Sequence, residues 1–530
     1  MSDLQKMFWG DQLKAILRQN NPRSVRWCPM MIKIALHIQM QSPSAYKYLR
    51  ESGILQLPSQ RRLFDFTHFT EAKDGIQDTL LNLLEKKLEK KISATHERYF
   101  NVLFDEMTIH QNLVVTRNGD IVGFTSPTKV GKSVALLEAH LEGREMKRDK
   151  AKKVLVFMLQ GITIDIHEVV AVYPTTELNA QQLFTRAWDV IYNLEIRDMR
   201  VLSLIFDGAS CNKKFIMMHF KYGSSSDFVY STRNVAATEE RPLFFIVDPP
   251  HLLKTIRNCF SNSYGHKHTR NMWKNGQKIS WEAIEMLHSV SVAEKYKIHK
   301  LNQAHVRLTP FSRMNVKLAT QTMSASVVQA LVSYEQDSRF NGLINSELKN
   351  FNLIVTTFFD CLNGSNDPDG KRNKRNSHLQ PYYSLQDERF KILKQDVLGF
   401  FQEWHDDAEQ EVGLSKEAKE RRTISDQSYQ SLHITIYGFC GAVQYLLCKG
   451  APSVDAKTFN QDKLEQYFGL MKMAGGASNN PTKHAVIQKT IAYTAQKACA
   501  LPKKKGNTMA ERKHLIVDQE ALPVRSRSKK

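Results

Sequence analysis

Residues 99–107, with the sequence YFNVLFDEM, constrain the fold of this chain more than any other stretch. Aromatic and β-branched residues fill the stretch as far as Phe104, and this composition predicts a buried β-strand. Asp105 and Glu106 follow, and we expect the strand to give way to a turn there. A carboxylate at the tip of a central strand is costly to bury unless it pairs or binds a cation. One such carboxylate proves little, so the question is whether the pattern recurs.

The pattern recurs in residues 200–210, with the sequence RVLSLIFDGAS. An apolar strand is predicted over residues 201–206, with Asp207 at its end. Gly208 then begins a turn, because glycine is the residue best suited to sharp changes of chain direction.

A third acidic site lies in residues 458–476, TFNQDKLEQYFGLMKMAGG, which predict an amphipathic helix. Asn460 is expected to cap its start, and Gly475-Gly476 to end it. Asp462 and Glu465 are three residues apart, so they share one face of the helix.

Three carboxylates from two strand ends and one helix form the ligand set for two-metal phosphoryl transfer. One divalent ion acts on the attacking oxygen and the other on the leaving oxygen. Such a set of carboxylates can converge on a pair of divalent cations.

Four blocks, LFDEM, IFDGASCNKKF, FIVDPPHLLKTIRN and NQDKLEQYFGLMK, occur in this order along the chain. They resemble the conserved blocks of P-element-type DNA transposases, the family that includes the THAP-domain transposase-like proteins. The resemblance runs from about Arg23 to Thr482. It implies an RNase H-like catalytic domain, interrupted before its last acidic residue by a GTP-binding insertion. It also implies that Asp105, Asp207 and Glu465 are the catalytic carboxylates.

The predicted fold class is an α/β RNase H-like catalytic domain with a mixed sheet. It is interrupted by an all-α GTP-binding insertion and preceded by a small helical helix-turn-helix domain. The alternation of strands with helices, such as the helix predicted over residues 179–194, supports the mixed α/β assignment. The predicted domains are a helix-turn-helix domain (1–70), a linker helix (71–95), the first part of the catalytic domain (96–270), the helical insertion (271–445), the last part of the catalytic domain (446–500) and a basic tail (501–530).

Residues 1–70 predict helices joined by short turns. Pro29 suits a first helical position, Ser42 caps the next helix, and Gly53 ends it. Arg61 and Arg62 lie on the basic helix that follows, in an outline that resembles a helix-turn-helix able to contact DNA. The alternative is a small helical bundle that only packs on the next domain. The resemblance also implies a zinc-binding THAP domain with three cysteines, which we expect to be absent because the first 210 residues contain one cysteine.

Residues 74–91 predict a charged amphipathic linker helix, and Asn118-Gly119 between two apolar runs predicts a type I′ hairpin. Residues 126–133, SPTKVGKS, look like a phosphate-binding P-loop. Ser126 stands where the first glycine belongs, and Pro127 removes a backbone amide, so we interpret the segment as a surface loop.

Residues 242–258, PLFFIVDPPHLLKTIRN, predict a buried strand that ends at Asp248, followed by a helix. His251 is interpreted as a hydrogen-bonded structural histidine, with a place near phosphate or metal as the alternative. Lys254 and Arg257 are expected to contact the DNA backbone, and ordinary solvated charge is the alternative.

Residues 270–445 have a helical pattern without convincing strand alternation. By resemblance, one set of residues serves phosphate and ribose: Lys300, Lys317, Ser324 and Ser326. A second set serves the guanine base: Phe359, Asp360 and Asn363. Asp462 would lie near the Mg²⁺ of the nucleotide. Without the resemblance, core packing for Phe359 and a turn role for Asp360 are the preferred interpretations. Residues 364–380 predict a mobile polar loop.

The chain has 74 lysine and arginine residues against 54 aspartate and glutamate residues, a formal charge of +20. This balance favours a nucleic-acid partner, although solvated lysines alone also explain it. Seven scattered cysteines without a CxxC pair indicate a reducing compartment. No apolar run predicts a membrane span, and the basic tail favours the nucleus.

We therefore predict a transposase core that cleaves and joins DNA, with GTP as a structural cofactor and two divalent ions. We expect it to act on transposon ends and target DNA as a homodimer or higher oligomer. The alternative is a catalytically inactive, host-derived DNA-binding or regulatory protein of transposase origin.

Overall fold

The structure is a computed structural model of the 530-residue chain. It describes residues 3–18, 21, 24–67, 69, 73–115, 121–122, 125, 150–222, 227–265, 269–294, 299–365, 376–473, 480–496 and 524. Several predicted features lie outside the described residues: the Asn118-Gly119 turn, the 126–133 loop, most of the 364–380 loop, the helix end at Gly475-Gly476 and the basic tail.

The N-terminal unit consists of four helices: α1 (Asp3–Leu17), α2 (Pro29–Gln41), α3 (Pro43–Glu51) and α4 (Gln60–Thr67). Ser42 caps α3, because its hydroxyl accepts a hydrogen bond from the Ala45 amide at 3.2 Å. These helices share a small core that is separate from the main one and includes Met31, Leu36, Tyr46 and Leu63. The helices predicted here are confirmed. Residues 52–59 separate α3 from the basic α4, a longer connection than the roughly three- to four-residue turn of a helix-turn-helix.

The main sheet has seven strands in the order β1-β6-β5-β2-β7-β9-β8. Its strands are β1 (Gly75–Ile76), β2 (Tyr99–Thr108), β5 (Lys153–Gly161), β6 (His167–Thr175), β7 (Arg200–Phe206), β8 (Ser231–Arg233) and β9 (Pro242–Val247), and a separate pair is formed by β3 (Val114–Val115) and β4 (Ile121–Val122). The β2-β7 and β7-β9 pairs are parallel and the others are antiparallel, so the predicted mixed sheet is confirmed.

The structure corrects two boundaries in this sheet. β2 does not turn at Asp105 but runs on to Thr108, because its pairing with β5 continues through that pair of acids. The linker helix α5 (Asp78–Lys91) begins later than predicted, because Gly75 and Ile76 pair with β6 as the edge strand.

Three further helices surround the sheet: α6 (Ala180–Glu195), α7 (Ser210–Met217) and α8 (Pro249–Ser261). Asn179 caps α6, since its side chain accepts a hydrogen bond from the Gln182 amide at 2.8 Å. The predicted helix over residues 179–194 is therefore confirmed to within one residue at each end.

The described part of the insertion is helical except for one small hairpin. Its helices are α9 (Glu282–Ala293), α10 (Gln303–Val306), α11 (Pro310–Met314), α12 (Val316–Thr322), α13 (Ala325–Ser333), α14 (Ser346–Leu362), α15 (Glu388–Lys391), α16 (Leu398–Gln410) and α17 (Lys416–Arg422). The expectation that this region has no strands is wrong at β10 (Trp273–Lys274) and β11 (Gln277–Lys278). Asn275 and Gly276 join them with φ values of 50° and 70°, the left-handed conformation that an Asn-Gly hairpin turn requires.

The chain returns to the sheet through α18 (Asp426–Cys448), which packs along β9. By length and composition α18 is the described helix that matches a membrane span, but 61% of its apolar window is buried inside the protein. It is thus the core helix that joins insertion and sheet. Two helices follow, α19 (Asp462–Met473) and α20 (Lys483–Gln496), and α20 packs against α2, α4 and β6.

Candidate active site

Carboxylates gather near the C-terminal ends of the three central parallel strands, β2, β7 and β9. This end of the sheet is called the sheet edge below. The pairing of Leu103 with Ile205 sets Asp105 of β2 level with Asp207, which follows β7. Asp248 follows the neighbouring strand β9 at the same edge. Because neighbouring strands lie about 4.8 Å apart, the sheet itself brings these acids together.

Asp105 is partly buried, and its Oδ1 accepts a hydrogen bond from the Glu106 amide at 2.7 Å. Burial and the negative charges of Asp207 and Glu465 raise the pKa of Asp105 to about 7. The three acids predicted to be catalytic are therefore electrostatic neighbours.

The loop after β7 orients Asp207. Its Oδ1 accepts hydrogen bonds from Asn212 Nδ2 at 2.7 Å and from the Ala209 amide at 3.0 Å. Both bonds use Oδ1, so within the described chain Oδ2 remains available to a ligand. Gln427 of α18 donates a hydrogen bond to the Gly208 carbonyl, which ties this loop to the end of the insertion.

Glu465 reaches the site from the first turn of α19. Its Oε1 lies 4.0 Å from Lys254 Nζ, which comes from α8. Asp462 precedes it on the same helix face, and burial together with the charge of Glu465 raises the pKa of Asp462 to about 6. Helix α19 thus brings two further carboxylates toward the sheet edge.

The acids have the chemistry of a divalent-metal site, but their arrangement is open. Carboxylate oxygens are the ligands that Mg²⁺ and Mn²⁺ prefer, and a bound cation relieves the repulsion at Asp105. Within the described residues, however, no three His, Cys, Asp or Glu side chains lie close enough together to hold one metal ion. The donor set fits the metals, and convergence on two ions stays a prediction.

His251 lies in the first turn of α8, close to the acids. Burial and the charge of Lys254 lower its pKa, while the charge of Asp207 acts in the opposite direction. These neighbours place the imidazole between a lysine and a candidate catalytic acid. For the described residues we find no hydrogen bond of this ring, so the expectation of a hydrogen-bonded structural histidine is not supported.

The two predicted groups of nucleotide-binding residues come from neighbouring helices of the insertion. Lys317 is exposed on α12, Ser324 caps α13, and Ser326 lies in the first turn of α13. Thr356 of α14 donates a hydrogen bond to the Met323 carbonyl at 2.7 Å, directly before Ser324. This bond holds the serines beside the helix that carries the predicted base-binding residues. Lys300 is exposed, in the segment before α10.

The predicted base-binding residues lie at the end of α14. Phe359 is buried, Asp360 is partly buried, and Asn363 follows the helix as its C-terminal cap. Asp360 Oδ2 accepts a hydrogen bond from Asn376 Nδ2 at 2.7 Å, and burial raises the pKa of Asp360. The geometry therefore fits two interpretations. One is base binding, and the other is core packing of Phe359 with a turn role of Asp360.

Two family models match the chain in the order that the sequence motifs predict. The model described as TNP-like, RNase H N-terminal domain matches residues 72–219, and the model described as TNP-like, GTP-binding insertion domain matches residues 250–376. Together they cover just over half of the chain. The chain belongs to the P-element-type transposase family. The predicted RNase H-like domain with a GTP-binding insertion is thereby confirmed.

One curated relative is the Transposable element P transposase of Drosophila melanogaster, which is 21% identical over 511 residues. The match covers 94% of this chain and 58% of the relative, so the chain spans little more than half of that protein. A solved structure, the Drosophila P element transposase strand transfer complex, matches with a TM-score of 0.69 and 17% identity. It covers 94% of this chain and 97% of that one, and at this identity the likeness shows the transposase fold.

The residues predicted to contact DNA divide into two groups. Arg61 and Arg62 are exposed on α4, as a DNA contact requires. Arg257 is fully buried, and its Nη2 donates hydrogen bonds to the carbonyls of Ser312 and Arg313 at 2.9 and 3.1 Å. Its predicted contact with the DNA backbone is therefore wrong in this conformation, because the guanidinium instead joins α8 to α11. The Lys254 side chain is 12% exposed and faces Glu465.

The sequence interpretation gave no role to three residues that organise the site: Asn212, Asp248 and Gln461. Asn212 orients Asp207, while the other two connect β9 to α19. A signal existed for Asp248, because it ends an apolar strand just as Asp207 does. No local pattern marks Gln461, whose partners are distant in the sequence.

Proposed function

We propose that the protein is the core of a DNA transposase, which cleaves DNA strands and joins the freed 3′-hydroxyl ends to target DNA. The observation that carries the proposal is the electrostatic meeting of Asp105, Asp207 and Glu465 at one edge of an RNase H-like sheet. Membership of the P-element-type family supports it.

Asp105, Asp207 and Glu465 would hold two Mg²⁺ or Mn²⁺ ions, and Asp462 would lie near the Mg²⁺ of the nucleotide. Bound there, such ions supply charge stabilisation of the attacking and leaving oxygens of phosphoryl transfer and lower the pKa of a bound water. Asn212 holds Oδ1 of Asp207, which leaves Oδ2 for a metal ion. The apolar strands under the acids exclude water, which strengthens every electrostatic interaction above them.

Lys254 has a defined part in this proposal. In the structure it neutralises Glu465 at 4.0 Å, beside His251. When DNA occupies the site, a phosphate becomes the stronger partner for this ammonium group, and Glu465 is released toward Asp105.

We propose that GTP binds the insertion as a structural cofactor. Lys300, Lys317, Ser324 and Ser326 would serve phosphate and ribose, and Phe359, Asp360 and Asn363 would serve the base. The match to a GTP-binding insertion model supports nucleotide binding. The link from the Lys457 amide to the Gly364 carbonyl at 3.0 Å supports communication with α19, because Gly364 follows Asn363 and Lys457 precedes Asp462 by one short turn.

The proposed DNA partners are transposon ends and target DNA, which α4 would approach through Arg61 and Arg62. The charge of +20 supports this. We also propose a homodimer or higher oligomer on DNA, since both ends of a mobile element must be held at once. A nuclear location belongs to the same proposal.

The experiment is a cleavage and strand-transfer assay on labelled terminal-repeat DNA, with Mg²⁺ or Mn²⁺ and GTP. We expect Asp207→Asn to abolish both products. Glu89→Gln should leave them unchanged, because Glu89 is exposed near the end of α5, where the neighbouring Lys87 pairs with Glu168 at the start of β6, away from the acids. Products that persist in Asp207→Asn would contradict the proposed chemistry.

A second candidate function is that of a DNA-binding regulatory protein without catalytic activity. The open arrangement of the acids in the described residues favours it. DNA binding by the wild type without any cleavage under the same metal and GTP conditions would decide for this alternative.

A further inference from the structure

Asp248 is buried at the end of β9, although a carboxylate is costly to bury. Both of its oxygens accept backbone hydrogen bonds: Oδ2 from the His251 amide and Oδ1 from the Gln461 amide, each at 2.8 Å. The first bond caps α8, as an aspartate before a helix commonly does. The second crosses 213 residues of sequence to the start of α19, and capping α8 does not require it.

Gln461 is the residue directly before α19, and it is buried and bonded on three sides. Its amide donates to Asp248, and its carbonyl accepts from the Glu465 amide at 2.9 Å. Its side-chain Nε2 donates to the Phe104 carbonyl at 2.8 Å, immediately before Asp105 in β2. Gln461 therefore connects the end of β9, the backbone beside Asp105 and the turn that carries Glu465.

We propose that Asp248 and Gln461 are positioning residues, which together set the distance and direction of Glu465 relative to Asp105. The inference rests on the proposed function, because it concerns the two acids that would share the metal ions. The bond from the Glu465 amide to the Gln461 carbonyl closes the first turn of α19, so fixing Gln461 against two strands fixes the turn that carries the glutamate. Buried Leu464 also packs α19 in place, whereas this pair acts on the backbone directly before Asp462.

The chemistry of Asp248 is specific to a carboxylate. Two N–H groups point at it, and a carboxylate offers an acceptor to each. An asparagine has the same size but offers one carbonyl oxygen, so its NH₂ group would face one of the two N–H donors. Asp248→Asn therefore releases Gln461 or His251 without changing the volume of the buried site.

The test compares wild type with Asp248→Asn and with Gln461→Met, which removes the bond to Phe104 at similar size. Ser42→Ala is the matched control, because it removes the cap of α3, whose Tyr46 lies in the separate core of the N-terminal unit. Three quantities are measured on the full chain: Mn²⁺ affinity by electron paramagnetic resonance, affinity for a fluorescent GTP analogue, and hydrogen exchange of the first turn of α19.

We expect both site variants to bind Mn²⁺ about 10- to 100-fold more weakly, the effect typical of losing a residue that orients metal ligands. Exchange of the amides at the start of α19 should quicken, while GTP affinity stays within about twofold of wild type, as in the control. Variants that bind GTP normally and retain wild-type Mn²⁺ affinity and exchange would overturn the inference. If Asp248→Asn fails to fold, Gln461→Met decides alone.

The outcome also separates this inference from the proposed function. A wild type that binds no Mn²⁺ and cleaves no DNA contradicts the proposed function. In that case hydrogen exchange still tests the pair, because the bond from the Gln461 amide exists without metal. Unchanged exchange in both variants then refutes the positioning role.

Discussion

Gly438→Ala is expected to destabilise the protein, although the same change stabilises most helix interiors by about 1 kcal/mol. Gly438 lies in α18, where the helix packs along β9. A Cβ at this position would lie 2.1 Å from the Phe245 carbonyl oxygen and 3.1 Å from its carbon. A carbon normally approaches a carbonyl oxygen to about 3.3 Å, so α18 must retreat by roughly 1 Å. The obstacle is backbone of a central strand and cannot turn aside.

The magnitude follows from what this retreat disturbs. Thr435 is one helical turn earlier, and its Oγ1 accepts from the Val247 amide at 3.2 Å and donates to the Val247 carbonyl at 3.0 Å. Overpacking costs about 1–3 kcal/mol, and the two hydrogen bonds contribute about 0.5–1.5 kcal/mol each. After subtraction of the helix-propensity gain, we expect a net loss of about 1–5 kcal/mol.

The assay is urea denaturation followed by tryptophan fluorescence, with Gly399→Ala as the matched control. Gly399 lies in α16, and a Cβ there meets nothing within 4 Å. We expect the control to be stabilised by up to about 1 kcal/mol, and Gly438→Ala to unfold at a clearly lower urea concentration. If Gly438→Ala unfolded at the same urea concentration as wild type or a higher one, the close packing of α18 on β9 would be wrong.

Three further predictions concern the acids, DNA and the nucleotide. The raised pKa of Asp105, about 7, means that the folded metal-free protein holds this proton more tightly than the unfolded chain. Stability of wild type relative to Asp105→Asn should therefore fall as the pH rises from about 4 to about 8; thermal melts of both proteins measure this, and a constant difference would contradict it. Binding to nonspecific duplex DNA should weaken linearly on a plot of log affinity against log salt, and replacing Arg61 and Arg62 by alanine should make the slope shallower by about 2. Arg257→Met should lower stability without changing that slope, because the guanidinium is buried; titrations at several salt concentrations check both, and equal slopes for all variants would refute the assignment. Asp360→Asn should weaken GTP about ten- to a hundredfold and favour xanthosine triphosphate, whereas Lys317→Ala should weaken all nucleoside triphosphates equally. A fluorescent-nucleotide titration tests this, and unchanged GTP and ATP affinities in Asp360→Asn would leave that residue its plainer role in the turn.

Local chemistry explains the parts of the fold that the sequence predicted well. The strand that ends at Asp207 and the helix capped by Asn179 depend on residues within one or two turns of chain. The β10-β11 hairpin was missed although its signal is equally local, because the Asn275-Gly276 turn lies within a long helical pattern. Asp105 was predicted as a strand end, and only its pairing with β5 carries β2 past that acid.

The tertiary structure alone decided where charged residues lie. Lys254 and Arg257 are three residues apart on α8, yet Lys254 reaches Glu465 and Arg257 is buried against α11. A helical pattern shows which residues share a face but not which element covers that face. For the same reason, the sequence pattern did not identify Asp248 and Gln461 as positioning residues.

The sequence thus determined the elements and the acids at their ends, because hydrophobic periodicity and capping act over a few residues. Only the folded chain determined which acids meet and what holds them, because those contacts join positions far apart. The bond between Asp248 and Gln461 spans 213 residues, and the one from Gln461 to Phe104 spans 357. Such long-range bonds depend on the packed structure, since packing excludes water from these polar groups and makes their hydrogen bonds obligatory.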